Sequence, residues 1–233
     1  MKLMNMVNAL ILLAVFAHTS LAGDSTQVLK RIDQLEGSYA AKSSVKNGLF
    51  EASTKGWATY ADAAGATPVN GTGGAPTVTF TRSTASPLEG KASGLITKDA
   101  ANRQGEGASY DFSLDAAYTG TNPQNMVVEF YYETGGTFVS GSSSDVQVYI
   151  YDVDGASLIT PNITYIGSSP GRYQAAFLPE AGSTNYRLIF HVATTSAAAW
   201  TLKVDKISVH ETPTAFNTSG VSSVATITTG NGF

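Results

Sequence analysis

Between residues 47 and 209 apolar side chains recur at every second position in short runs. Val78 and Phe80 alternate with Thr77, Thr79 and Thr81, and Ala108, Tyr110 and Phe112 with Ser109 and Asp111. Val128, Phe130 and Tyr132 alternate with Val127, Glu129 and Tyr131, and Val146, Val148 and Ile150 with Gln147, Tyr149 and Tyr151. Tyr173, Ala175 and Phe177 continue the pattern, as do Tyr186, Leu188, Phe190 and Val192 against Arg187, Ile189 and His191. A period of two is that of a strand with one buried face. Gly, Pro, Asn, Asp and Ser clusters separate the runs and no helix-period segment lies between them, which predicts an all-β sandwich or jelly roll. The last run changes phase. Leu202 and Val204 hold one register and Ile207 and Val209 the other. That slip, at Asp205 and Lys206, predicts a β-bulge that re-aims an acidic side chain. No repeat of solenoid or propeller period is present.

The flanks read differently. Residues 1–22 have the pattern of a signal peptide: Lys2, a short apolar core from Val7 to Phe16, and small residues at Ser20-Leu21-Ala22. That core is too short for a bilayer span, so no stable membrane insertion is expected after cleavage. In 23–46, Asp24 can cap a short helix with Gln27 at its third position, and Val28, Ile32 and Leu35 form a stripe. The stripe suits a stem that assembles the chain into a dimer or trimer, and equally a linker helix docked on its own domain. Residues 37–46 read as linker. Residues 211–233 are Ser, Thr, Gly and Asn rich, and fit a hairpin, a tail or the start of a further module.

Composition narrows the function classes. The 233 residues carry 14% charged side chains, 23 Gly and a net charge of −4, which gives no basic footprint for nucleic acid. With no Cys there is neither a disulfide framework nor a thiolate metal site. Few charges among many small polar residues lean towards a secreted, extracellular or virion protein. No Gly-x-Ser-x-Gly elbow, His-Glu-x-x-His or P-loop is present, and nothing assigns two carboxylates a glycosidase separation. Asp152-Val-Asp154-Gly155 reads as a hairpin turn rather than a calcium loop.

The opening Asn47-Gly48, Phe50-Glu51 and Gly56-Trp57, then Leu88 to Ser93, Gly107 to Phe112, Val128 to Tyr132, Tyr186 to Val192 and Val204 to Val209 stand in a distinctive order. That order resembles the CenC-type carbohydrate-binding-module-like jelly roll. Thr59 to Gly65, Asn70 to Pro76, Thr97 to Gln104, Tyr149 to Val153 and His191 to Ser196 further resemble the version of that domain in phage tail and virion structural proteins. The resemblance implies a galactose-binding-like sandwich over 47–210 behind a short N-terminal helix. It also implies a non-catalytic role: a glycan-binding or structural adhesion module of a phage tail or virion-type assembly, or a secreted bacterial carbohydrate-binding or cell-surface protein. Trp57 falls where the family's tryptophan packs in the core, whereas Trp200 could be core or exposed.

Two candidate sites follow. Alternation puts Glu129 and Tyr131, then Gln147, Tyr149 and Tyr151, then Arg187 and His191 opposite the core-facing residues of their strands. If those strands are neighbours, the result is an aromatic and polar face of the kind a surface glycan or polysaccharide requires; otherwise it is ordinary exposed sheet. The ligand-binding candidates are Tyr131, Gln147, Tyr149, Tyr151 and Arg187. The family often holds a structural Ca²⁺ between its first and last strands, and Glu51 and Asp205 occupy the matching positions. Hard carboxylate oxygens suit that ion, although both groups could instead bond backbone amides. A homotrimer through the N-terminal helix completes the expected partners.

Overall fold

The computed structural model describes residues 43–159 and 165–211. The signal peptide, the helix at 26–36 and the tail beyond Glu211 lie outside the described residues. The alternating segments fold as ten strands: β1 Trp57–Ala61, β2 Thr79–Ser83, β3 Ser93–Lys98, β4 Glu106–Ser113, β5 Met126–Gly136, β6 Val146–Asp152, β7 Ser157–Ile159, β8 Gly171–Phe177, β9 Asn185–Val192 and β10 Trp200–Glu211. They form two five-stranded sheets, ordered β1-β4-β9-β6-β7 and β2-β3-β10-β5-β8. Every pairing is antiparallel. The described residues thus form an all-β two-sheet sandwich, as the period-two pattern predicts.

The core lies where the two sheets present their apolar faces to each other. Tyr110 and Phe112 on β4, Val148 and Ile150 on β6, and Leu188 and Phe190 on β9 meet Val128 and Phe130 on β5 and Leu202 and Val204 on β10. Trp57 joins them through ring contacts of 4.9–5.8 Å to Phe80, Tyr110, Phe50 and Phe190. Its indole N–H donates to the carbonyl of Asn47 at 3.1 Å. Trp200 is also core: 2% exposed, with its ring 5.4 Å from Phe138.

The phase slip in the last strand is a bulge. The register of β10 against β5 shifts between Asp205 and Ser208, and Lys206 takes a left-handed backbone (φ 48°). The opening segment fastens there, with Ile207 N–H donating to the carbonyl of Gly48 at 3.0 Å. A Cβ at Gly48 would lie 1.9 Å from the Ile207 oxygen, so only glycine allows that approach. The sandwich begins slightly before residue 47, because Ser44 N–H donates to the Val209 carbonyl and Val45 is 4% exposed.

Two local features refine the pattern. One helical turn, α1 (Ala116–Thr119), interrupts the β4–β5 connection, capped by the Asp115 carboxylate on the Ala117 N–H. Residues 152–155 form the expected hairpin turn between β6 and β7, with Asp152 accepting from the Gly155 N–H at 3.0 Å. Among the described residues no helix is long and apolar enough to cross a membrane.

Candidate functional site

Four of the five expected ligand residues share one surface. Gln147, Tyr149 and Tyr151 lie on β6, facing away from the core, and Arg187 lies on the outer face of the adjacent β9. Register sets the rows across the sheet. Tyr151 pairs with Arg187, and Arg187 with Asp111 of β4. Tyr149 pairs with Ile189, and Ile189 with Ser109. Tyr131 is not brought to this surface. It lies on β5, in the other sheet, paired with Arg172 and Asp205. Its ring centroid is 5.7 Å from the Lys206 ammonium. Glu129, two residues earlier on β5, is ion-paired with Arg172 and reaches towards His210. The His210 imidazole, 3.6 Å away, holds the Glu129 carboxyl down at about 2, against burial and with help from Arg172.

A loop from Asp62 to Gly74 covers the middle of the first sheet's outer face. One Asp62 oxygen accepts three backbone N–H groups, from Val69, Asn70 and Gly71, at 3.0, 3.3 and 3.1 Å. The Ser109 hydroxyl donates to the Gly71 carbonyl at 3.0 Å. His191 sits within 2.9 Å of the Gly65 carbonyl through Nε2 and 2.7 Å of the Tyr60 hydroxyl through Nδ1. A carbonyl can only accept, so Nε2 carries the proton and Nδ1 accepts from Tyr60. Burial lowers the His191 pKa, opposed by the Gly65 bond and the Asp62 charge. Burial likewise raises the Tyr60 phenol, with further contributions from Asp62 and Tyr149. Both groups are neutral parts of the floor beneath the loop.

Beside the loop an open recess of about 150 Å³ remains. Gly56, Ala58 and Tyr60 of the β1 region, Gly71 to Gly73 of the loop, Ser109 and Asp111 of β4, and Arg187 of β9 line it. The Arg187 guanidinium grips Asp111 with two N–H groups, at 2.6 and 3.1 Å, and donates a third to the Asn70 carbonyl at 2.8 Å. Arg187 is 13% exposed and Asp111 67%, so a fixed cation holds an outward-facing carboxylate. Such a pair sets donors and acceptors side by side, where hydroxyl groups can bond both.

The two expected calcium ligands converge on one turn. Both Glu51 oxygens accept from the Lys91 N–H, at 3.0 and 3.1 Å. Asp205, 1% exposed at the bulge, accepts from Glu89 N–H, the Ser93 hydroxyl and its neighbour Lys206 N–H, at 3.2, 2.9 and 2.8 Å. Burial raises the Asp205 pKa, those three bonds lower it, and the Glu51 charge adds to the rise. Each carboxylate keeps lone pairs beyond these bonds, so the pair fits a hard cation in kind. Ca²⁺ takes 6–8 oxygens. The carbonyls of Phe50 and Glu51 are engaged by the Arg82 guanidinium at 2.8 and 2.7 Å. Among the described residues no three His, Cys, Asp or Glu side chains cluster as a metal site, so other ligands would have to be backbone or water oxygens.

No protein-family model matches the chain. No curated protein matches it either. Among solved structures, the CBM22-1 xylan-binding domain of Paenibacillus barcinonensis Xyn10C aligns with a TM-score of 0.46 and 15% identity, over 70% of this chain and 91% of that one. The N-terminal cellulose-binding domain of Cellulomonas fimi β-1,4-glucanase C gives 0.41 and 16%, over 70% and 93%. The enzymatically active domain of tailspike protein 4 from bacteriophage CBA120 gives 0.46 and 13%, over 74% of this chain and 22% of the tailspike. At these identities the likeness concerns fold alone and assigns no ligand.

Sequence reasoning missed the partners that complete the recess. Asp111 and Ser109 stand at outward positions of a recognised strand, but only the β4–β9 register sets them beside Arg187 and Ile189. Nothing in the spacing of Asp62, Asn70 and Gly71 says that their loop folds back over the sheet.

Proposed function

We propose that the chain is a non-catalytic glycan-binding module, exported from its cell, that docks its ligand on the outer face of the first sheet. The observation that carries this reading is the row Tyr151–Arg187–Asp111, which runs across three adjacent strands beside the recess. Neighbouring strands lie ~4.8 Å apart, so the row spans ~10 Å, about the length of two sugar rings. Tyr151 offers an aromatic face at one end. Asp111 accepts hydroxyls at the other, and Arg187 holds it in place. The recess has one carboxylate, and that group is clamped by a guanidinium, which suits recognition and not proton transfer. The pattern of residues 1–22 supports export, and therefore a secreted or cell-surface setting ahead of a virion.

The test is titration of the purified protein against an array of bacterial and plant polysaccharides, with Tyr151→Ala and Asp111→Ala as controls. Saturable binding that weakens at least tenfold in each variant, with unchanged circular dichroism, is the expected result. Binding that both variants retain at full strength would remove the site from this face.

The convergence of Glu51 and the buried Asp205 on one turn supports a second, structural reading, in which this corner takes Ca²⁺ through both carboxylates. It would brace the opening segment against the bulge of β10 and play no direct part in ligand recognition.

A further inference from the structure

The outer face of the first sheet is not an open platform. Ile189, at its centre, is 0% exposed although it points away from the core. What covers it is the loop backbone: a Cβ at Gly71 would lie 2.6 Å from the Ile189 Cδ1. The cover is fastened along its length. It is held by the three amides on Asp62, by Ser109 on Gly71, by Arg187 on Asn70, by His191 on Gly65, and by Ala61 N–H on the Gly73 carbonyl at 2.8 Å. Past Ile189 the Tyr149 hydroxyl meets the Ala66 carbonyl at 3.4 Å. A polysaccharide laid across the strands along the Tyr149–Ile189–Ser109 row would have to pass through Gly71. Beside that cover lies the recess of about 150 Å³, below the ~300–1,000 Å³ of ordinary small-molecule sites.

We infer that this site reads the end of a glycan, taking one neutral terminal sugar into the recess between the loop and the Asp111–Arg187 pair, and does not grip the interior of a chain. The inference rests on the glycan-binding reading above and specifies its ligand. A single ring fits the space left by the loop. Neutrality follows from the lining, whose two ions cancel. The paired edge of Arg187 is already occupied by Asp111, so a sugar carboxylate finds no free fork and meets an exposed anion. Two of the five guanidinium N–H groups and the outer lone pairs of Asp111 are left for hydroxyls.

The experiment uses the polysaccharide identified by the array, as oligomers of one to six units and as polymer before and after partial hydrolysis. It adds the neutral monosaccharides xylose, glucose, galactose and mannose, and the corresponding uronic acids. The expected result is a Kd that changes less than threefold from the dimer to the hexamer. Capacity per gram of polymer should rise with the number of chain ends. At least one neutral sugar should shift the amide resonances of Gly56, Thr72 and Gly73, and the uronic acids should shift none. Affinity that climbs tenfold or more with oligomer length, or capacity that follows polymer mass, overturns end recognition and leaves glycan binding standing. Binding of no glycan at all overturns both.

Discussion

The loop that shapes the recess hangs on one carboxylate, and replacing Asp62 by Ala measures how firmly. A single Asp62 oxygen collects the N–H groups of Val69, Asn70 and Gly71, while its other oxygen is buried with no protein partner. Charge-assisted bonds are worth ~1.5–3 kcal/mol when isolated, but these three share an acceptor in a partly exposed loop, and the freed amides can turn to water. We therefore assign ~0.5–1 kcal/mol to each, about 2 kcal/mol for the set. Asp62→Asn keeps an acceptor without the charge and should lose about half. In a sandwich of this size 1 kcal/mol moves Tm by ~2–4 °C, so Asp62→Ala should melt about 4–8 °C lower if the loop is cooperative with the sheets. If it opens on its own, Tm holds and the loss appears as local exchange. Residue-resolved hydrogen exchange covers both cases: protection of Val69, Asn70 and Gly71 should fall ~30-fold for 2 kcal/mol. Unchanged protection at those three amides in Asp62→Ala would refute the argument, because the carboxylate would then not be what holds the loop.

Gly48→Ala should cost about 3 kcal/mol in urea denaturation, since its Cβ would strike the Ile207 carbonyl, a backbone atom that overpacking can displace only at such a cost; an unchanged midpoint would show that the opening segment is free to shift. His191 and His210 should titrate on opposite sides of the ordinary value of ~6.5, resolved by NMR. His191 is lowered by burial, so its neutral form favours the fold and its contribution is full above pH ~6.5 and lost as pH falls. His210 is raised by the Glu129 carboxylate beside it, against burial, so its contribution is full below pH ~6.5 and lost as pH rises through its folded pKa. Glu129→Gln should bring His210 down, and the reverse order of the two titrations would contradict both environments. If the Glu51–Asp205 corner takes Ca²⁺, a hundredfold excess over Kd adds ~2.7 kcal/mol, or about 5–10 °C over EDTA, and Asp205→Asn abolishes that difference; identical melting with and without the ion removes the metal from this corner.

The strands and their inner faces were legible because each apolar run serves one core. Leu188 and Phe190 are at 0 and 1% exposure for the same reason that they alternate with Arg187 and Ile189. The bulge was legible because an extra residue must shift the apolar phase, and the shift from Val204 to Ile207 does so. Sheet membership was not legible. Alternation assigns a side chain to one face of its own strand and carries no information about which strand lies beside it. β6 pairs with β9 and β9 with β4, while β5 joins the other sheet between β10 and β8. Tyr131 and Tyr149 therefore look equivalent along the chain and lie on opposite sides of the sandwich.

The cover over the site left a trace in the sequence after all. On β9 the positions opposite the core read Arg187, Ile189, His191, and an isoleucine in the polar phase of an antiparallel strand is a residue that water would leave uncompensated. Its burial requires something on the solvent side. A backbone segment that approaches closely enough to leave no room for side chains favours a glycine in a left-handed turn. Asn70-Gly71-Thr72 supplies one, with Gly71 at φ 67° directly over Ile189. Asp62 has the acceptor capacity to gather the amides of the returning turn, and Ser109, in the same row as Ile189, can bond its carbonyl. Each clue is weak alone, and none specifies that the turn belongs over β9. Together they make Ile189 a strong internal check: Ile189→Lys should drive the loop from the sheet and abolish end recognition, whereas Arg187→Lys should weaken binding while leaving Ile189 covered.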